Sequence, residues 1–94
     1  MFVIILTYKA ELAIVDQYRA AHWEGLDKAS ADGLLLTGGR EVGKKSGILL
    51  MRGDREEIEH FAANDAFVVN GVADYAIFEF NPTRIMPGLE AFIQ

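Results

Sequence analysis

The sequence alternates between short apolar runs and amphipathic stretches, and this alternation predicts the order of its elements. Residues 2–8 are almost continuously apolar and rich in Val and Ile, which is typical of a buried strand. In residues 12–31, apolar and aromatic side chains recur every three or four positions, which predicts a helix with one inward stripe. The stripe consists of Val15, Tyr18, His22, Leu26 and Ala29. Asp32-Gly33 ends this helix, because glycine adopts the left-handed conformation of a helix stop.

Two further apolar runs predict a pair of neighbouring strands. Residues 34–37 begin the second strand, and we expect Gly38-Gly39 to interrupt it. Residues 42–47 contain two glycines and two lysines, a composition that is typical of a hairpin connection. Residues 48–51 form the third strand.

The last third of the chain predicts a short helix followed by a fourth strand. Asp54 with Glu57 three residues later has the spacing of a capping box, which marks a helix start. We expect this helix to end near Asn64-Asp65. Residues 72–80 predict the fourth strand, which Pro82 ends because proline lacks a donor for strand pairing. The inner face of the helix consists of Ile58, Phe61 and Ala62.

The predicted order β-α-β-β-α-β is that of the ferredoxin-like split βαβ fold, an α+β architecture with an antiparallel sheet and both helices on one face. We expect one domain over 1–94, with a core of about 1–81 and a C-terminal arm over 82–94. The chain is 51% hydrophobic, which is rich for so small a domain. The sheet face without helices is therefore expected to pack on a second copy, which gives a homodimeric α+β barrel and leaves higher assembly open.

Charge and cysteine content exclude several classes of function. The net charge is −5 and the only basic pair is Lys44-Lys45, so nucleic acids and anionic membrane surfaces are not expected partners. No cysteine is present, which excludes disulfides and thiolate metal sites and fits a cytoplasmic protein. The apolar N-terminus has no preceding basic residue and no cleavage site, so it predicts a strand rather than a signal peptide. No run is long enough to span a bilayer.

His22 and Asp65 are the main candidates for chemistry. His22 lies in the apolar stripe of the first helix, where a desolvated imidazole needs a hydrogen-bond partner. A core histidine bonded to a carbonyl or water is the simpler explanation. Asp65 follows the second helix, where Asn-Asp is also ordinary turn chemistry. Because both helices lie on one sheet face, the two side chains can approach each other. A carboxylate on one imidazole nitrogen makes the other nitrogen more basic, as general acid–base catalysis requires.

These residues resemble the YciI-like family. Arg19-Ala20-Ala21-His22, then Leu26, matches the Arg-Pro-x-His helix of that family. The stretch 32–36 followed by Gly38-Gly39 is similar to its Gly-x-Leu-Leu strand and Gly-Pro turn. Asp65-Ala66-Phe67, with Gly71 four residues later, looks like its Asp-Pro-Phe/Tyr motif. The resemblance covers 1 to about 80.

The resemblance implies a dimeric ferredoxin-like barrel and a pocket with a His–Asp pair, carried here by His22 and Asp65. One type of member with such a pair removes chloride from a chlorinated hydroxyquinol. Three departures from the family pattern concern its prolines, which are replaced by Ala20, Gly39 and Ala66. The turn that presents Asp65 is therefore expected to be less rigid than in the family.

Four further residues are candidate substrate-binding groups, each with a plainer explanation. Arg19, one turn before His22, is placed to hold a carboxylate or phenolate, or is simply solvated. Tyr8 donates a hydrogen bond into a pocket or caps the sheet edge. Gly38 lets a ligand approach the backbone, or belongs to a strand bulge. Phe67 lines the pocket or belongs to the core.

Two classes of function fit these residues. The first is an enzyme in which His22, oriented by Asp65, moves a proton on a small cyclic or aromatic molecule without a cofactor. Acid–base work is favoured over acyl transfer because the chain offers no activated nucleophile. The second is a module that holds a small ligand or supports another enzyme, and a purely structural subunit is a third possibility. No metal site is expected, since no recognised ligand spacing joins the two histidines with carboxylates.

Overall fold

A four-stranded antiparallel sheet forms the centre of the structure, a computed structural model that describes residues 1–93. Its strands are β1 (Phe2–Tyr8), β2 (Leu35–Arg40), β3 (Ser46–Met51) and β4 (Ala73–Glu79). They lie in the order β2-β3-β1-β4, and every neighbouring pair is antiparallel. The first and third strands therefore occupy the middle, and the predicted ferredoxin-like α+β fold is confirmed.

The helices connect these strands and differ in detail from the predicted pair. They are α1 (Leu12–Val15), α2 (Arg19–Ala31), α3 (Arg55–Ala63), α4 (Ala66–Val69) and α5 (Glu90–Ile93). The prediction of one helix over 12–31 was wrong, because a 3₁₀ turn at Asp16–Tyr18 separates α1 from α2. Tyr18 leaves the α-helical region there, with φ −104° and ψ 7°.

The start of α3 agrees with its sequence, whereas the segment after it was not predicted. Asp54 accepts a hydrogen bond from the Glu57 backbone, and the Glu57 side chain returns to the Asp54 backbone, so the predicted capping box is confirmed. The helix ends at Ala63. Asp65 then caps a separate short helix, α4, by accepting a hydrogen bond from the backbone of Phe67.

The glycine pair does not interrupt β2, and that prediction was wrong. The strand runs on to Arg40, and the irregularity falls earlier, where the register with β3 shifts between Leu35 and Thr37. Leu36 is thus the extra residue of a β-bulge. Gly38 sits within the ladder opposite Leu49 and Gly39 opposite Ile48. Strand pairing therefore continues through both glycines.

The two faces of the sheet have different surroundings. Phe2, Ile4 and Leu6 alternate along β1 toward the helices and are almost fully buried. Burial of each such side chain stabilises the fold by about 1.5–3 kcal/mol. On the opposite face Ile48 and Phe78 remain 42% and 55% exposed. These two side chains leave an apolar surface open to solvent on that face. None of the helices combines the length and apolar character needed to cross a bilayer.

The C-terminal stretch returns to the end of β3. Arg52 donates from Nη1 to the carbonyl of Phe92 at 2.9 Å and from Nε to the carbonyl of Gly33 at 2.7 Å. One guanidinium thus joins the end of α2 to α5. The predicted arm over 82–94 includes Gln94, which lies outside the described residues.

Candidate active site

A cavity of about 430 Å³ lies between α2 and the strands β2 and β3. Residues of the strands and of the first turns of α2 form most of its wall. Five residues singled out in the sequence line it: Tyr8, Arg19, His22, Gly38 and Phe67. The remaining lining residues are Trp23, Leu26, Gly39, Arg40, Gly47 and Leu49. Asp65 lies behind His22, outside the lining.

His22 and Asp65 form a short buried hydrogen bond. Nδ1 of His22 lies 2.6 Å from Oδ1 of Asp65, and the two side chains are only 10% and 3% exposed. An ionised carboxylate can only accept, so Nδ1 carries the proton. The other ring nitrogen, Nε2, has no hydrogen-bond partner among residues 1–93, yet it is not sealed from solvent. The free nitrogen of His22 therefore opens on the cavity.

Phe67 fixes both members of this pair. Its backbone N–H donates to Oδ2 of Asp65 at 2.9 Å, which leaves Oδ1 for the imidazole. Its ring stacks on His22, with centroids 4.1 Å apart and planes inclined by 16°. The rings of Tyr8 and Phe67 meet edge to face, with centroids 5.9 Å apart. The turn chemistry expected of Asp65 and its contact with His22 thus coexist, because the two carboxylate oxygens serve different partners.

A second polar group on the cavity wall was not found from the sequence. Arg40 donates from Nη2 to Oδ1 of Asp16 at 2.6 Å and from Nε to the hydroxyl of Tyr8 at 3.1 Å. Its guanidinium also lies 5.2 Å from the Tyr8 ring centroid. The hydrogen bond from Arg40 lowers the pKa of Asp16, and the same bond raises the pKa of Arg40. Arg40 is therefore a fixed cation beside Tyr8.

The bulge at Leu36 decides where Arg40 points. Successive side chains of a strand alternate between faces, so one extra residue reverses the faces of all that follow. A regular ladder from Leu35 would turn Arg40 to the uncovered face. With the bulge, Arg40 pairs with Gly47 and faces the helices, as Gly38 does. No local sequence pattern marks this residue as inward.

The remaining predicted residues have distinct places. Arg19 lies over the ring of Trp23, 5.3 Å from its centroid, and Trp23 is 56% exposed, so both stand at the rim. Gly38 forms part of the floor. A Cβ there would lie 2.5 Å from Cδ2 of Leu49 and 3.0 Å from the carbonyl oxygen of Ile48. A side chain at this position would therefore force Leu49 and the β3 backbone to shift.

Comparisons with known proteins bear directly on the family. The sequence model of the YCII-related domain matches residues 1–81. The chain belongs to the YCII-related domain family. No curated protein matches the sequence.

One solved structure has the same fold as this YCII-related domain. It is the 5-chloro-2-hydroxyhydroquinone dehydrochlorinase of Burkholderia phenoliruptrix in complex with 2,5-dihydroxybenzoquinone, with a TM-score of 0.72 and 20% sequence identity. The match covers 86% of this chain and 94% of that one. At this level of identity the comparison establishes the fold.

The geometry of this YCII-related domain suits proton transfer. A neutral imidazole with its lone pair on a cavity can accept a proton, and the carboxylate behind it stabilises the imidazolium that forms. Aromatic walls exclude water from one side of the ring, which strengthens electrostatic interactions there. Ala66, where the family has proline, occupies the first position of α4 and leaves the cap at Asp65 intact.

Proposed function

We propose that this chain is an acid–base enzyme that acts on a small cyclic or aromatic metabolite without a cofactor. His22 moves the proton at Nε2, and Asp65 holds its ring in the required tautomer. The observation that carries this proposal is the buried 2.6 Å bond between His22 and Asp65 at the wall of a cavity. Elimination, isomerisation or hydrolytic removal of a substituent can each use such a group.

The cavity supports a small flat substrate. Its volume of about 430 Å³ falls in the range of small-molecule sites. We assign Tyr8, Arg19, Gly38 and Phe67 to substrate binding, since each lines the cavity. The structurally similar dehydrochlorinase is named for a chlorinated hydroxyhydroquinone, and its structure contains a dihydroxybenzoquinone. A ring with oxygen substituents is accordingly the first class to test.

We also propose that the single domain works as a homodimer. On the sheet face of Ile48 and Phe78, both side chains remain about half exposed. A symmetric homodimer, the commonest soluble oligomer, would bury such a surface against a second copy. Residues 1–81 would form the core of each subunit and 82–94 its arm. Sedimentation equilibrium measures the subunit number directly.

The decisive experiment combines a spectroscopic and a kinetic readout. Nitrogen-15 NMR of the two histidine rings should show His22 protonated at Nδ1 and unprotonated at Nε2. Asp65→Asn should remove that preference and leave His60, which is exposed, unchanged. With 5-chloro-2-hydroxyhydroquinone as probe, chloride release by the His22→Gln variant should fall by about 100- to 10,000-fold.

The outcomes separate the enzyme from the binding module. A His22 ring without the Nδ1 preference would contradict the pair. A probe that stabilises the protein but is not consumed, with equal affinity for wild type and His22→Gln, would favour a ligand-binding module. If His22→Gln changed thermal stability alone, the residue would be structural.

A further inference from the structure

We infer that Arg40 and the Tyr8 hydroxyl form an anion-recognition element, so that the cavity selects a small ring that carries an ionised oxygen. Phenolates, enolates and ring carboxylates share this chemistry. The inference rests on the proposed function, because it names the substrate class of the same cavity. Asp16 acts as the positioning residue that holds Arg40.

The charged side chains on the cavity wall are positive, whereas the net charge of the protein is negative. The protein carries a net charge of −5, yet the charged residues that line the cavity are Arg19 and Arg40, with His22 as the third ionisable base. No carboxylate belongs to the lining formed by residues 1–93. Asp65 lies behind His22, with both oxygens bonded. An anion entering the cavity thus meets cations first.

Arg40 retains donor capacity after its internal contacts. A guanidinium has five N–H donors and no acceptor. Nε is used by Tyr8 and one hydrogen of Nη2 by Asp16. Nη1 has no hydrogen-bond partner within residues 1–93. Planar guanidinium groups bind carboxylates and similar anions through two parallel hydrogen bonds, so these open donors suit an anionic oxygen.

The Tyr8 hydroxyl adds a further donor beside Arg40. Its oxygen accepts from Nε of Arg40, so its own hydrogen is left for another acceptor. No protein acceptor takes that hydrogen among residues 1–93. A Cβ at Gly47 would lie 3.4 Å from the hydroxyl oxygen, so glycine leaves that side of the oxygen free of a side chain. An anionic oxygen of a ligand at this place can accept that hydrogen.

Asp16 fixes the guanidinium before a ligand arrives. Its side chain and that of Arg40 are 27% and 24% exposed, which leaves the pair partly shielded from solvent. A preorganised donor loses less conformational entropy on binding than a free arginine. The hydrogen bond to Asp16 also raises the pKa of Arg40, so the cation persists at every working pH.

The test uses two probes that differ in charge and share a ring. They are 2,5-dihydroxybenzoquinone, whose hydroxyls are vinylogous carboxylic acids and are ionised at pH 7, and its dimethyl ether, which has no ionisable group. Calorimetric titration at pH 7 should show tighter binding of the acid by wild type. Arg40→Gln should weaken binding of the acid by about tenfold to a hundredfold and leave the ether unchanged.

Three further variants sharpen the result. Arg40→Lys keeps the charge but loses the planar fork, so its affinity for the acid should lie between those of wild type and Arg40→Gln. Asp16→Asn should also weaken binding of the acid, but by less than Arg40→Gln does. Arg55→Gln is the matched control, because Arg55 pairs with Glu59 and Glu79 on the surface and does not line the cavity. Circular dichroism confirms that each variant is folded.

The inference and the proposed function fail in different ways. Equal affinity for the two probes, binding of neither at millimolar concentration, or an unchanged preference in Arg40→Gln would overturn the anion site. None of these results alters the His22 nitrogen signals or the His22→Gln kinetics, which test the enzyme. Conversely, a preference for the acid that depends on Arg40 would stand even if His22→Gln had no kinetic effect.

Discussion

Two acidic residues near the cavity hold a cationic or basic partner at the same distance in different surroundings. Asp65 bonds His22 at 2.6 Å, and Asp16 bonds Arg40 at 2.6 Å. The first pair has side chains 10% and 3% exposed, whereas the members of the second are 24% and 27% exposed. Phe67 also binds and stacks on the first pair, while Tyr8 and solvent share the second.

The difference shows that the length of the hydrogen bond alone does not determine how much a pair contributes to stability. A buried donor left without its acceptor loses its hydration as well as its bond, so removal of one partner is costly. When one partner of a solvent-exposed pair is removed, the loss of stability is much smaller, because water replaces the missing group. We therefore expect the first pair to support stability and chemistry together, and the second to act mainly by orienting a cation.

The largest expected effect is that of Asp65→Ala. It leaves the buried imidazole without its acceptor and removes the cap of α4, so the free energy of unfolding should fall by about 2–4 kcal/mol. Urea unfolding measures the change. Asp16→Ala is the matched control and should cost much less. Equal losses for the two variants would refute the distinction between the pairs.

Gly38→Ala tests the floor of the cavity between the pairs. The added methyl group would collide with Leu49 and the Ile48 carbonyl, so we expect a loss of about 1–3 kcal/mol in unfolding free energy. Gly39→Ala is its control, since a Cβ at Gly39 meets nothing within 4 Å. Thermal denaturation of both variants provides the comparison. A Gly39→Ala protein as unstable as Gly38→Ala would mean that strand conformation, rather than the contact, requires glycine.

Ala66→Pro should stabilise the protein and leave the first pair intact. Ala66 is the first residue of α4, where proline is favoured, and Asp65 before it has the extended conformation that proline requires, with φ −59° and ψ 139°. We expect a gain of about 0.4–1 kcal/mol from the restricted unfolded chain. Chemical denaturation should show it, with the Nδ1 signal of His22 retained. A destabilised variant would show that the backbone at Ala66 does not tolerate the fixed φ angle or the ring of proline.

Acidification should reveal the smallest effect, which belongs to the second pair. The hydrogen bond from Arg40 lowers the pKa of Asp16 below its ordinary 3.8, and the charges of Arg40, Arg19 and Lys44 act in the same direction. The stabilisation is thus fully present above that ordinary value and is lost as the pH falls through the lower folded-state pKa. Denaturation followed from about pH 6 downward should show a smaller loss in Asp16→Asn than in wild type. An identical pH profile would contradict the assigned cause.

The sequence predicts the fold and one side of the candidate site. Hydrophobic periodicity and the capping box reveal the order of strands and helices, and that order brings the helix with His22 near the chain at Asp65. The short helix after Asp65 escapes prediction, because four residues are too few to show a period. Arg40 escapes as well. Its partners lie 24 and 32 residues away, and its direction depends on a bulge.

That bulge gives β2 one spare residue. If the codon for Leu36 were deleted, the ladder would become regular, yet Gly38 would still face Leu49 and Arg40 would still face Gly47. Deletion of Gly39 would instead bring Thr37 opposite Leu49, where the ladder now holds a glycine. Relatives whose second strand is one residue shorter can therefore keep the same cation in the pocket. Sequence alignments of this strand should open their gap at Leu36, because an ungapped alignment would equate inward with outward positions.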